Sequence, residues 1–211
     1  MEFLDTTLFE DEIIALEQKI DSNTYLDNLI AFYGSSSIRL WSSLQQDMSP
    51  MNVINLGFGG SSYPYCVNYF DRVFAKLKPS QLVVYAGDND LGNDHSPEQV
   101  LGNFSLLIDL IQKQFPDAMI HVISIKPSPS REYLRRTIEQ TNQLLREKIT
   151  NTRNGHWIEV YSKMLTSGGK PNPSLYVEDM LHLNEQGYDI WRKEIKKHLL
   201  SFSNNGENLI T

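Results

Sequence analysis

The chain has 211 residues, one cysteine and a formal net charge of −7, from 19 Lys and Arg against 26 Asp and Glu. A scattered acidic excess argues against nucleic acid or an anionic membrane as the main partner, because both reward a basic face. Cys66 has no second cysteine with which to form an internal disulfide, so it fits a reducing compartment and reads as a small buried apolar residue.

The first residues, Met1 to Asp5, are acidic and lack the basic start and apolar stretch of a signal peptide. No apolar run approaches the roughly 18 residues that would cross a bilayer. The expectation is a cytoplasmic protein without a membrane span, folded as one domain over 1–211. Nothing in the sequence marks an oligomeric state.

In chain order, Leu8, Phe9, Ile13, Leu16 and Ile20 recur at helical spacing within a helical extension over 1–24. Leu29 to Tyr33 reads as a buried strand, followed by Gly34-Ser35-Ser36-Ser37 and a helix start at Ile38 to Trp41. Pro50 marks a loop, Asn52 to Leu56 a second strand, and Gly57-Phe58-Gly59-Gly60-Ser61-Ser62 a small-residue turn before a helix near 63–77. Gln81 to Ala86 is a near-continuous apolar run ending in Gly87-Asp88-Asn89-Asp90, as a strand buried on both faces should read. Ser96-Pro97-Glu98 combines a cap, a first-turn proline and a first-turn acid, predicting a helix that runs to about Phe115 and stops before Pro116.

Met119 to Ile125 is a fourth strand, 131–149 a charged helix and His156 to Tyr161 a short fifth strand. A Gly/Pro-rich loop over 167–174 leads to Asp179-Met180-Leu181-His182 and a last helix from about Asn184. The residues from 203 onward form a polar tail. Strands alternating with helices predict a parallel five-stranded sheet covered on both faces, a three-layer α/β/α domain. Such sheets bind ligands beyond the carboxyl ends of their strands. Three of those ends here are the small-residue or polar turns at 34–37, 59–62 and 87–90.

Acyl transfer by serine needs a nucleophile, a base, a group that orients the base, and donors for the oxyanion. Every part has a candidate. The hydroxyls of 35–37 sit at a strand-to-helix turn. Asp179 and His182 are three apart, so on a helical turn they share a face. Gly60 offers a backbone N–H that no side chain obstructs, and Asn89 offers a neutral amide donor. Each piece also has an ordinary reading as a turn or cap residue.

Taken together, these blocks resemble the SGNH hydrolases, also called the GDSL esterase/lipase family. Gly34-Ser35-Ser36 followed by Trp41 lies where that family has Gly-Asp-Ser and a tryptophan five residues on. Asn55 to Gly60, Gly87-Asp88-Asn89-Asp90 and Asp179-Met180-Leu181-His182 resemble the later blocks, in order, over about residues 28–200. The resemblance implies a flavodoxin-like sheet and an ester or acyl hydrolase that uses no metal or organic cofactor. It makes Ser36 the nucleophile, His182 the base and Asp179 its partner, with Ser36 N–H, Gly60 N–H and the Asn89 amide as the oxyanion hole. The partner it implies is a small-molecule ester. One position departs: Ser35 stands where the family has aspartate.

Other readings carry less. Asp88, Asp90 and Asp94 suggest a cation loop, but the calcium-loop pattern needs Gly and Glu where Asn93 and Gln99 stand. Neither phosphate-binding glycine motif is present. An inactive binding module on the same fold is the alternative function, since fold alone does not fix activity. Tyr63, Leu91, His95, Met164 and Tyr176 are candidates to line the pocket. His121 and His156 read as structural strand residues, and His198 as facing out of the last helix.

Overall fold

A computed structural model describes residues 4–22 and 28–203; part of the helical extension and nearly all of the polar tail lie outside the described residues. Five strands, β1 (Ile30–Gly34), β2 (Val53–Gly57), β3 (Gln81–Tyr85), β4 (Met119–Ile123) and β5 (Gly155–Ile158), form one parallel sheet in the order β2-β1-β3-β4-β5.

The helices are α1 (Glu10–Asp21), the single turns α2 (Ser36–Arg39) and α3 (Leu44–Asp47), α4 (Tyr63–Phe74), α5 (Asp88–Gly92), α6 (Pro97–Gln114), α7 (Arg135–Thr150) and α8 (Glu185–Ser203). The boundaries follow local chemistry. Ser96 accepts from the Gln99 N–H while Gln99 accepts from the Ser96 N–H, so α6 begins with a complete capping box.

Alternation along the strands explains the three layers. In β1, Ala31 and Tyr33 join a core formed with α1, α4, α6 and α7, while Ile30 and Phe32 join a second core with α2, α3 and α8. Leu82 and Val84 against Val83 and Tyr85 repeat the division in β3. All five residues of β1 and of β3 are buried, as a parallel sheet sandwiched between helices requires. Among the described residues no helix is long and apolar enough to cross a membrane.

The strand order places a topological switch point between β1 and β3, where the connections depart in opposite directions; sheets of this kind bind ligands beyond the carboxyl edge at such a point. Gly34 ends β1 opposite both Gly57 and Tyr85. Its φ is +139°, and a Cβ there would lie 1.8 Å from the Tyr85 carbonyl oxygen. Only glycine fits that approach, which lets the Ser35 N–H donate to the Tyr85 carbonyl at 3.0 Å as the chain leaves the sheet.

Several sequence expectations shift. The helix near 131–149 is a 3₁₀ turn over Pro129–Leu134 followed by α7, and the fourth and fifth strands end at Ile123 and Ile158. The turn after β1 becomes helical at Ser36 rather than at Ile38. His198 does not face outward. Its Nε2 lies 3.0 Å from His121 Nδ1, and His121 Nε2 lies 2.9 Å from Gln81 Oε1. Gln81 on β3, His156 on β5 and Phe202 on α8 complete the surroundings of His121.

Burial keeps this histidine cluster neutral. It lowers His121 to about 2, His198 to about 4, and His156 in the same direction, with the neighbouring imidazoles adding to the first two. The unfolded chain, with histidines near 6.5, therefore takes up protons first. The cluster's support is complete above about pH 6.5 and is lost as pH falls toward 4. We expect a lower urea midpoint at pH 5.0 than at 7.5, and a drop smaller by about 1 kcal/mol in His198→Gln. Equal drops in the two proteins would contradict this.

Candidate active site

The turn after β1 presents Ser36 as the first residue of α2, behind an extended Ser35. The backbone amides of a first helical turn have no intrahelical acceptor, so the Ser36 N–H and its hydroxyl emerge together. Two contacts hold the turn. Asn55 in the middle of β2 donates to the Ile38 carbonyl at 2.6 Å, and the Tyr188 hydroxyl of α8 donates to the Ser37 carbonyl at 3.0 Å. Trp41 is buried, stacked on Tyr188 and bonded through Nε1 to Asp47.

Ser36 Oγ lies 3.0 Å from His182 Nε2, and His182 Nδ1 lies 2.6 Å from Asp179 Oδ2. Asp179 Oδ1 also accepts from the backbone N–H groups of Leu181 and His182. Burial alone would raise the Asp179 carboxyl, but the His182 ring N–H and these amides overcome it and bring it down to about 2. An ionised carboxylate only accepts, so Nδ1 carries the proton of the neutral ring and Nε2 accepts from the Ser36 hydroxyl. The helical turn expected to pair Asp179 with His182 is absent. The segment is an irregular turn with Met180 at φ +56°, closed by the Val177 N–H donating to the His182 carbonyl and the Met180 N–H donating to the Val177 carbonyl.

On the turn after β2, Gly60 adopts φ +63°, a left-handed conformation that favours glycine. The preceding Gly59 N–H donates to Glu12 Oε2 of α1 at 2.9 Å, and Phe9 packs edge-on against Phe58. This loop is laced to the turn after β3: Asn89 Nδ2 donates to the Ser61 carbonyl at 3.1 Å, and both Asp90 carboxylate oxygens accept from the Tyr63 N–H. Asp90 is fully buried, and burial pushes it up to about 6, partly opposed by the Tyr63 bond.

Asp88 is buried between Lys126 Nζ at 2.8 Å and Arg131 Nη1 at 2.7 Å. Burial would raise its carboxyl, but the two cations outweigh that and hold it below its usual range. Its carboxylate is thus already engaged within the protein.

Five candidate lining residues fall into two groups. Tyr63 and Leu91 are buried in the α4–α6 core, and Met164 and Tyr176 in the α8 core, with the Tyr176 hydroxyl donating to the Pro127 carbonyl. All four side chains are buried within these cores. His95 has Nδ1 3.9 Å from Asp90 and sits behind the turn after β3. Cys66 is buried, which pushes its thiol pKa well up.

Sequence reading did not pick out Glu12, Lys126 or Arg131. A lysine directly after the apolar run 119–125 is the one local signal, since a cation there must find a buried partner.

A five-stranded parallel sheet between helical layers, with a serine, a histidine and an aspartate joined at its carboxyl edge, is the architecture of an SGNH-type hydrolase. The GDSL-like Lipase/Acylhydrolase family model matches residues 21–190, and the chain belongs to that family of hydrolases. Over 172 residues it is 27% identical to platelet-activating factor acetylhydrolase IB subunit alpha1 of Rattus norvegicus, covering 75% of this chain and 69% of that protein. It is 26% identical over 171 residues to subunit alpha2 of Mus musculus, covering 75% and 70%. The fold resembles that of a GDSL-like lipase from Bacteroides thetaiotaomicron, with TM-score 0.73 and 21% identity, covering 95% of this chain and 99% of the other. It also resembles that of the esterase EstA from Pseudoalteromonas sp., inhibited by monoethylphosphonate, with TM-score 0.63, 22% identity and coverage of 82% and 99%.

The doubly paired carboxylate gives a stability prediction. Asp88→Ala should cost about 3–5 kcal/mol in urea unfolding, because it strands the buried Lys126. Adding Lys126→Met should recover part of the loss. A cost under about 0.5 kcal/mol would mean that Asp88 does not neutralise these cations.

Proposed function

We propose that the chain is a serine esterase in which Ser36, His182 and Asp179 act as a catalytic triad on a carboxylic ester with a short acyl group. The observation that carries this reading is the unbroken pair of hydrogen bonds from Ser36 Oγ to His182 Nε2 and from His182 Nδ1 to Asp179. In this reading Nε2 takes the hydroxyl proton as Oγ attacks the ester carbon. The imidazolium then gives that proton to the departing alkoxide, leaving an acyl-Ser36. Water, deprotonated by the same nitrogen, attacks the acyl carbon, and Ser36 recovers its proton as the carboxylic acid leaves. Asp179 orients the ring and stabilises its positive form.

The oxyanion of each tetrahedral intermediate would be held by the Ser36 N–H, the Gly60 N–H and the Asn89 amide. Each such donor contributes on the order of 3 kcal/mol to the transition state. The bond from Asn89 to Ser61, next to Gly60, supports this grouping. A short acyl group is favoured because the curated relatives are acetylhydrolases by name.

Labelling with a fluorophosphonate followed by peptide mass spectrometry tests the assignment. The expected adduct is on Ser36, lost in Ser36→Ala and slowed at least a hundredfold in His182→Ala. Unchanged labelling in His182→Ala, or no adduct at all, would favour a binding module without catalysis. Asp179→Asn should lower kcat for p-nitrophenyl acetate by roughly 10²–10⁴-fold, because a neutral amide no longer selects the productive ring tautomer. A change below threefold would remove Asp179 from the proposed triad.

A further inference from the structure

We infer that Arg131 is a positioning residue that fixes which end of the Asn89 carboxamide faces the oxyanion; this rests on the reading of Asn89 as an oxyanion donor. A carboxamide is nearly symmetric in shape but opposite in polarity at its two ends, so its environment must choose between them. Arg131 Nη2 lies 3.1 Å from Asn89 Oδ1. A guanidinium only donates and stays protonated, so the end that meets it must be the carbonyl oxygen. At the other end, one Nδ2 hydrogen goes to the Ser61 carbonyl at 3.1 Å. The second is then available to a ligand oxygen. A flipped amide would set N–H against guanidinium and carbonyl against carbonyl.

The guanidinium is itself held on several sides. Nη1 donates to the Asp88 carboxylate at 2.7 Å and to the Asp88 backbone carbonyl, while Lys126 occupies the other carboxylate oxygen at 2.8 Å. Arg131 thus spans two consecutive residues of the turn after β3 and grips Asn89 from behind. Gly92, one helical turn onward, leaves it space: a Cβ there would stand 2.7 Å from the guanidinium carbon.

Two cations share one carboxylate in this cluster, so a net positive charge sits behind the amide carbonyl. A cation bonded to the carbonyl oxygen draws electron density from the amide nitrogen and strengthens the remaining N–H as a donor. The strengthened amide N–H favours a developing oxyanion over a neutral ester carbonyl, so the benefit acts through Asn89 and appears in kcat and not in KM.

The test is a double-mutant cycle on the full-length protein hydrolysing p-nitrophenyl acetate, using Arg131→Met, Asn89→Ala and the pair, with thermal unfolding read in parallel. Arg131→Met alone should lower kcat about 10–100-fold with KM changed less than threefold. On top of Asn89→Ala it should change kcat less than threefold, since no amide remains to orient. Where Arg131→Met does not fold, the cycle is run with Arg131→Lys, which keeps the charge but loses the fork and should show the same non-additivity at about 3–10-fold. Wild-type kcat in either folded Arg131 variant, or fully multiplicative losses in the pair, would overturn the inference. Wild-type kcat in Asn89→Ala, with Ser36→Ala inactive, would remove Asn89 as a donor and the inference with it while leaving the esterase reading intact. Activity retained in Ser36→Ala would reject that reading itself.

Discussion

The candidate site depends on one constraint: β2, β1 and β3 end side by side at the same level of the sheet, with Gly34 opposite Gly57 and Tyr85. Side chains of ordinary size would push the chains apart at that point, because a single Cβ on Gly34 collides with the Tyr85 backbone. Once the ends are aligned, three short turns must leave from neighbouring positions. Ser36, Gly60 and Asn89 are carried on those turns, so residues distant in sequence leave the sheet from neighbouring strand ends without any long loop having to be ordered. Entropy that a flexible loop would lose on binding is lost during folding instead.

Around this edge lie several buried charged groups, apart from the neutral histidine cluster at His121. Asp90 joins the N-terminal end of α4 to the turn after β3, and Asp88 joins that turn to Lys126 and Arg131. Both carboxylates are buried, yet their ionisation moves in opposite directions. Asp90, with neutral donors, is pushed up to about 6, whereas Asp88, between two cations, is held low. The difference follows from partner charge, since desolvation acts the same way on each. Asp179 is far more exposed and is kept ionised by its hydrogen bonds with His182 and Leu181. In the proposed reading, a fixed negative charge beside the imidazole and a net positive charge beside the amide supply the polarity that acyl transfer to serine uses.

Much of the fold was legible because burial on both faces leaves a simple signature. The runs at 29–33, 81–86 and 119–125 are nearly free of polar residues, and Ser96-Pro97-Glu98 announces its helix. The turns that carry the candidate residues were legible where strand ends demand small or polar residues, as at Gly34, Gly60 and Asn89, and the Asp179–His182 pair stood out by its spacing in the loop before α8. Contacts that arise only in three dimensions were not. Arg131 lies 42 residues from Asn89, and Glu12 lies 47 from Gly59; no periodicity links either pair. His198 was misplaced for the same reason. Its helix offers several faces, and only the docking of α8 on β4 puts that ring against His121. Tyr63, Leu91, Met164 and Tyr176 pack in the cores, because aromatic and apolar side chains near a turn serve a core as readily as a pocket.

The most direct test of the account is a crystal structure of the protein after reaction with a short alkyl fluorophosphonate, which leaves a tetrahedral phosphoryl centre resembling the proposed intermediate. The account predicts phosphorus bonded to Ser36 Oγ and the phosphoryl oxygen within about 3 Å of the Ser36 N, Gly60 N and Asn89 Nδ2 atoms together. A phosphoryl oxygen turned toward solvent, or an Asn89 amide presenting its carbonyl to the adduct, would contradict it.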